Sequence, residues 1–266
     1  MHDFIKSLYG RPSTITTYNS LFKNHIEPFV ITPVTEQHLT SLVKHWTREG
    51  MSEKTIKQMV QLTNQYARWT GQAPLHTAPI IRKIQKSKQE TKIKSLTSKE
   101  AKLLLDYLSA KQLSTLYIIC LFGIHAGLRR GEIFGLQYGD IDPLRNRITV
   151  SRQYGGAPTK NGKTRQVPLS ERLAKALEQR DYLTKPSREA IFNVFDPNPD
   201  LKKVTILLGI RDITIHDLRH TFATLALESG VSPRTVQSWL GHSSLTTTLN
   251  IYWSSLPTEQ RMDFAP

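Results

Sequence analysis

Residues 147–169 read RITVSRQYGGAPTKNGKTRQVPL, and this stretch decides the fold. RITV at 147–150 and TRQVPL at 164–169 are short, β-branched runs bounded by turn residues, the pattern of strands. Between them lie Gly155-Gly156 and Asn161-Gly162, and Asn-Gly is a strong hairpin signal. Pro168 offers no amide hydrogen, which puts the second run at a sheet edge. On both sides of this hairpin the periodicity is helical. Upstream, Thr97-Ser98-Lys99-Glu100 is a capping box opening a helix through Leu103, Leu104 and Leu108. LSTLYIICLFGIHAGL at 113–128 is apolar enough for a largely buried helix. Downstream, helix resumes from Ser170. Ser232-Pro233 supplies an N-cap and a first helical residue before Val236, Trp239 and Leu240, and Gly241 is placed to end that helix. The expected class is mainly α with a small antiparallel β-sheet.

Working further outward, the first 75 residues show no alternating pattern. Ser52 reads as an N-cap, and Ile56, Met59, Val60, Thr63 and Ala67 then fall on one helical face. Ile15, Tyr18, Leu21 and Phe22 repeat the pattern, so a small all-helical domain is expected. Gly71, Pro74 and Pro79 lead into RKIQKSKQETKIK at 82–94, which reads as a linker. The expected division is a helical domain at 1–82, a basic linker at 83–94 and an α+β domain at 95–266.

Charge is uneven along these parts. The 266 residues hold 36 Lys+Arg against 22 Asp+Glu, a net of +14, which favours a polyanionic partner. Residues 82–94 carry Arg82, Lys83, Lys86, Lys88, Lys92 and Lys94 against Glu90 alone, a net of +5 from 13 residues. Such a run is either a solvated joint or a strap along a phosphate backbone, releasing counterions where it binds. The single cysteine, Cys120, rules out a disulfide framework and a cysteine-rich zinc site. No apolar run has signal-peptide or membrane-spanning length, so a soluble, cytoplasmic protein with no membrane partner is expected, and its charge points to nucleic acid.

Phosphate loops of the GxxxxGK[ST] type, HExxH, GxSxG and paired-carboxylate nuclease motifs are all missing. What stands out is a series of cations and one tyrosine at turns and helix starts. Arg129 stands at the end of the buried helix, with Glu132 three residues on and able to hold its guanidinium. Lys160 lies in the hairpin. His216 and Arg219 are three apart on one helical face. His242 follows Gly241, where an imidazole can face an anion held by free backbone amides. Tyr252 sits between Ile251 and Trp253. Taken singly, each reads more simply as a surface cap, turn residue or core aromatic.

Together, HAGLRRGE, TKNGKTRQVPL, HDLRHTFAT and LGHSSLTTTLNIY, in this order across residues 125–252, resemble the tyrosine recombinase, or phage integrase, family. The resemblance implies a helical core-binding domain and an α+β catalytic domain forming a C-shaped clamp on duplex DNA. It implies that Arg129 and Arg219 are clamp arginines and Lys160 the hairpin lysine. His216 and His242 would be the site histidines and Tyr252 the nucleophile, with Glu132 and His220 as buttresses. The implied reaction is site-specific strand exchange through a 3′-phosphotyrosyl link, within a homotetramer on an inverted-repeat core site. Accessory DNA-bending proteins are further implied partners. The bond energy stays in the ester, so no metal and no ATP or other cofactor is expected.

The gap from His242 to Tyr252 is ten residues, where many relatives have nine. The length leads us to expect no additional arm-binding domain, and a short C-terminal tail docking on a neighbouring protomer. Two readings compete: a type IB topoisomerase-like nicking-closing enzyme, and a non-catalytic DNA-binding regulator.

Overall fold

In the computed structural model, which describes residues 2–10, 12–84, 93–112, 114–179 and 184–255, the chain divides into two compact units, Met1–Glu90 and Thr91–Pro266. The first unit is helical. It runs through α1 (His2–Ser7), α2 (Pro12–Leu21), a wide π-type turn at Phe22–Ile26, α3 (Glu36–Arg48), α4 (Glu53–Trp69) and α5 (Thr77–Lys83). Ser52 Oγ accepts the Thr55 amide at 3.1 Å and starts α4, as its N-cap position requires. Ile56, Met59, Val60, Thr63 and Ala67 are all buried on α4, so the expected stripe is the one that faces the core. That core is aromatic and aliphatic: Phe4, Phe22, Ile26, Leu39 and Trp46 join the α4 residues, Tyr66 among them.

In the second unit, α6 (Ser98–Ala110) begins at Thr97 with the expected capping box, the Thr97 amide donating to Glu100 Oε2 at 2.8 Å. The apolar run forms α7 (Ser114–Ala126), which packs against α6 and two later helices, α9 (Glu171–Glu178) and α11 (Ile215–Glu228). A helix covered on several sides has no need of a polar face, and α7 has almost none. Its contact with α11 is close. A Cβ at Gly123 would stand 2.7 Å from Leu218 Cβ, so glycine is what lets the two backbones approach.

Three antiparallel strands follow α7: β1 (Ile141–Asp142), β2 (Arg147–Val150) and β3 (Arg165–Pro168), in that order across the sheet. The expected hairpin is β2–β3, with Ile148 opposite Val167 and both buried. Pro168 sits on the outer strand, where its missing amide hydrogen does least harm. β1 is too short for its alternation to be read from sequence. Further helices among the described residues are α10 (Asn198–Leu207), α12 (Pro233–Leu240) and α13 (Leu245–Ser255). Pro233 opens α12 after Ser232, and Gly241 ends it at φ 63°, as expected of that Ser-Pro…Gly frame.

Two details differ from the sequence reading. Arg129 does not end the buried helix. α7 stops at Ala126, and Arg129 is the extended N-cap of a separate turn, α8 (Arg130–Ile133). The break is at Gly127, whose φ of 64° turns the chain out of the helix. The second strand run is also shorter than read, losing Thr164 and Leu169 from the ladder. No helix among the described residues is long and apolar enough to cross a membrane.

Candidate active site

The site is built around a buried carboxylate. Glu132, at the end of the α8 turn, is fully buried, and its two oxygens accept four hydrogen bonds. Arg129 gives two, from its amide to Oε2 and from Nη1 to Oε1, each 2.8 Å. Arg165 gives the other two as a parallel fork, Nη1 to Oε1 at 2.9 Å and Nη2 to Oε2 at 2.7 Å. Arg219 Nη1 stands 3.8 Å from Oε2. Burial opposes ionisation of Glu132, but the hydrogen bonds and charge of Arg165, then those of Arg129, overcome it and hold the pKa at about 2. Glu132 is therefore an anion at any physiological pH.

The two expected clamp arginines are held differently. The Arg129 side chain is 20% exposed and lines an open cleft of about 490 Å³ with Lys163, Arg165, Gly241 and His242. Arg219 is 1% exposed on the inward side of α11. Its Nη1 donates to Gly127 O at 2.7 Å and its Nη2 to Leu240 O at 2.5 Å, so it ties the end of α7 to the end of α12. Burial first, then the charge of Arg129, pulls its pKa down to about 9, which leaves it charged at neutral pH. The surface reading of the His216/Arg219 pair thus fails for Arg219.

The histidines sit around this positive centre, and desolvation, with neighbouring charge, lowers the pKa of each. His242 lies between α12 and α13, its Nδ1 2.9 Å from the buried Thr248 Oγ1. Desolvation, followed by the charges of Arg219 and Arg129, lowers its pKa to about 3. His216 and His220 meet edge to face on α11 with ring centroids 4.7 Å apart. Burial and then the His216 ring lower the pKa of His220 to about 4, and its buried Nδ1 has no partner among the described residues. His216 is exposed overall, yet desolvation of its ring and the charges of Arg219, Arg129 and Lys160 hold it below the usual histidine value against the pull of Asp217. Lys160 is thus within electrostatic reach of His216, on the exposed β2–β3 connection.

The structure therefore brings Arg129, Glu132, Lys160, His216, Arg219, His220 and His242 into one region. Tyr252 falls in α13, one helical turn beyond Thr248; its side chain lies outside the described residues. α13 packs on α11 and α12, with Ile251 buried against Phe222, Val236 and Leu240. Of the basic run, Lys86, Lys88 and Lys92 lie outside the described residues. Arg82 and Lys83 are exposed at the end of α5, and Lys94 Nζ donates to Asp212 O at 3.1 Å.

Arg165 is the site member that sequence reading missed. Its Nε donates to Trp239 O at 2.6 Å while its fork holds Glu132. The signal was present: a buried acid shared by clamp arginines needs a counter-ion of its own, and TKNGKTRQVPL offers an arginine at a strand start. Thr248 was missed too, for a threonine in LTTT carries no mark of its partner. Among the described residues, no group of three or more His, Cys, Asp or Glu side chains is placed to hold a metal ion.

The profile of the phage integrase family matches residues 94–259. The chain belongs to the phage integrase family. Within it, the chain is 37% identical over 213 residues to the tyrosine recombinase XerA of Thermococcus onnurineus (strain NA1), covering 76% of this chain and 71% of that protein. It is 23% identical over 292 residues to the ICEBs1 integrase of Bacillus subtilis (strain 168), covering 95% and 76%. The fold is that of the Tn1549 transposon integrase solved with circular-intermediate DNA, with a TM-score of 0.70, 19% identity and coverage of 94% and 92%. A lambda integrase dimer bound to a COC′ core site gives a TM-score of 0.70, 15% identity and 99% coverage of both chains. This integrase-family chain is a tyrosine-type site-specific recombinase, and these relatives lend nothing to the topoisomerase or regulator readings.

Proposed function

We propose that the chain cleaves and rejoins duplex DNA by nucleophilic attack of the Tyr252 hydroxyl on a phosphodiester. The phosphotyrosyl bond forms at the 3′ side as the bond to the 5′-oxygen breaks. A phenol has an unperturbed pKa of about 10, so it needs positive charge and a proton acceptor beside it. His216 is neutral at pH 7 and takes the tyrosyl proton. Lys160, on the exposed hairpin connection, gives its proton to the leaving 5′-oxygen. His242 is neutral as well. In the tautomer whose Nδ1 accepts from the Thr248 hydroxyl, Nε2 carries the hydrogen and donates to a phosphate oxygen. Arg129 reaches the phosphate from the cleft. Arg219 acts from below as a fixed charge in a dry setting, where its field is least screened.

The observation that carries this reading is the Glu132 cluster: three guanidiniums converge on one carboxylate, leaving a surplus of positive charge beside neutral histidines. Attack of a 5′-hydroxyl from a second duplex reverses the step and exchanges strands. Two inverted half-sites and a tetramer of this chain would bring four such sites together, with accessory DNA-bending proteins as further partners. On this reading residues 1–82 bind the core site, 83–94 follow the backbone with Arg82 and the five lysines, and 95–266 carry the chemistry. The test is covalent capture. Wild-type chain incubated with nicked duplexes from the DNA flanking its gene should give a slow-migrating adduct on a denaturing gel, and Tyr252→Phe should give none. An equal adduct from Tyr252→Phe would remove the tyrosine from the role.

A further inference from the structure

Arg165 holds three parts of the site through one side chain. Its fork occupies one hydrogen-bonding position on each Glu132 oxygen. Its Nε grips Trp239 O in the last turn of α12, two residues before Gly241. Its own backbone begins β3, the strand that follows the Lys160 connection. That connection is tied to the same corner, since Asn161 Nδ2 donates to Gly241 O at 2.8 Å. Gly241 leaves room for the arrangement: a Cβ there would lie 3.1 Å from Arg165 Cδ, at a φ of 63° that side chains rarely adopt. The Arg165 side chain is only 10% exposed, so most of its hydrogen-bonding capacity is directed at protein rather than at a ligand.

The charges explain why a third guanidinium is needed. Arg129, Arg219 and Glu132 alone sum to +1, so the buried carboxylate would cancel half the charge that meets a phosphate. Adding Arg165 restores +2. We propose that Arg165 is a positioning residue for strand cleavage, which neutralises Glu132 and pins the Lys160 hairpin to the Gly241–His242 corner. It rests on the cleavage reading above. The strong lowering of the Glu132 pKa, with Arg165 the leading favourable partner, agrees with it.

Substitution tests both halves. At saturating nicked DNA, Arg165→Gln should slow single-turnover cleavage by about 10²-fold, the scale for losing one preorganised charged donor, with DNA affinity changed by about threefold or less. Arg165→Lys, which keeps charge but loses the fork, should fall between Arg165→Gln and wild type. Adding Glu132→Gln to Arg165→Gln removes the uncancelled carboxylate and should recover cleavage by about tenfold over the single variant. A role in folding alone would leave the double variant as slow as the single one or slower. A second readout needs no catalysis, so it stands even if covalent capture fails. Arg165→Gln should melt below wild type at pH 7, and the gap should narrow from pH 5 to pH 3 as Glu132 protonates. Cleavage of Arg165→Gln within threefold of wild type, no gain in the double variant, or a melting gap constant with pH would each overturn the proposal.

Discussion

The two units of this chain bury different things. Among the described residues, Thr63 is the buried polar side chain of Met1–Glu90, and its hydroxyl is satisfied by Met59 O at 2.8 Å. Thr91–Pro266 buries Glu132, Asp140 and Arg219 as well as its apolar core. The first unit is held by apolar area, roughly 25 cal/mol per Å² removed from water. The second also holds charges out of water, a penalty repaid only when every charge is paired and hydrogen-bonded. An unpaired charge there is far more damaging than a lost methyl, and in the proposed mechanism the same dry setting strengthens the guanidiniums' pull on a phosphate. On the proposed mechanism, what costs stability in the second unit is what performs the chemistry.

The sharpest way to break that contrast is to remove one buried polar group from each unit, a charge from the second and a neutral hydroxyl from the first. Glu132→Ala leaves three guanidiniums facing one another and should destabilise the chain by about 3–5 kcal/mol, as for breaking a buried ion pair. Thr63→Val in the first unit deletes one hydrogen bond and should cost about 1 kcal/mol. Urea unfolding of both variants decides between them, and equal losses would erase the difference between the units.

A smaller effect separates the units by pH. His220 and His242 have folded pKa values of about 4 and about 3, below the ordinary histidine value, so the unfolded chain binds their protons first. Their contribution to stability is complete above about pH 7 and is lost as pH falls toward 4. Glu132, held at about 2, adds a further loss below about pH 4.5. Thermal melts between pH 7 and 4 should show Tm falling with pH. Replacing His220 and His242 by Gln should flatten that slope, and an unchanged slope in the double variant would contradict it.

Where the sequence was legible, the reason is local. Ser52, the Thr97–Glu100 box, Ser232-Pro233 and Gly241 announce helix ends because a cap needs only its own turn. The family could be read from four blocks between residues 125 and 252 because each is a dense local pattern. The Arg165–Glu132 fork was not legible, because its partners are 33 residues apart and meet only once β3 lies beside α8. Nor was the burial of Arg219, since i and i+3 spacing puts two residues on one face without saying that the face is covered. The Gly127 break, which moves Arg129 from the end of α7 to the start of α8, was hidden by the unbroken apolar run before it.

The most direct test of the charged centre keeps the charge and removes the fork. Arg129→Lys and Arg219→Lys, each assayed by single-turnover cleavage of a nicked duplex at saturating concentration, should be slower by about 10²-fold or more, because lysine cannot supply the two fixed donors of Arg129 and leaves the charge at 219 unanchored. The Arg219 variant should also lose the tie between Gly127 and Leu240. If both variants cleave within twofold of wild type, the guanidinium cluster does not stabilise the transition state.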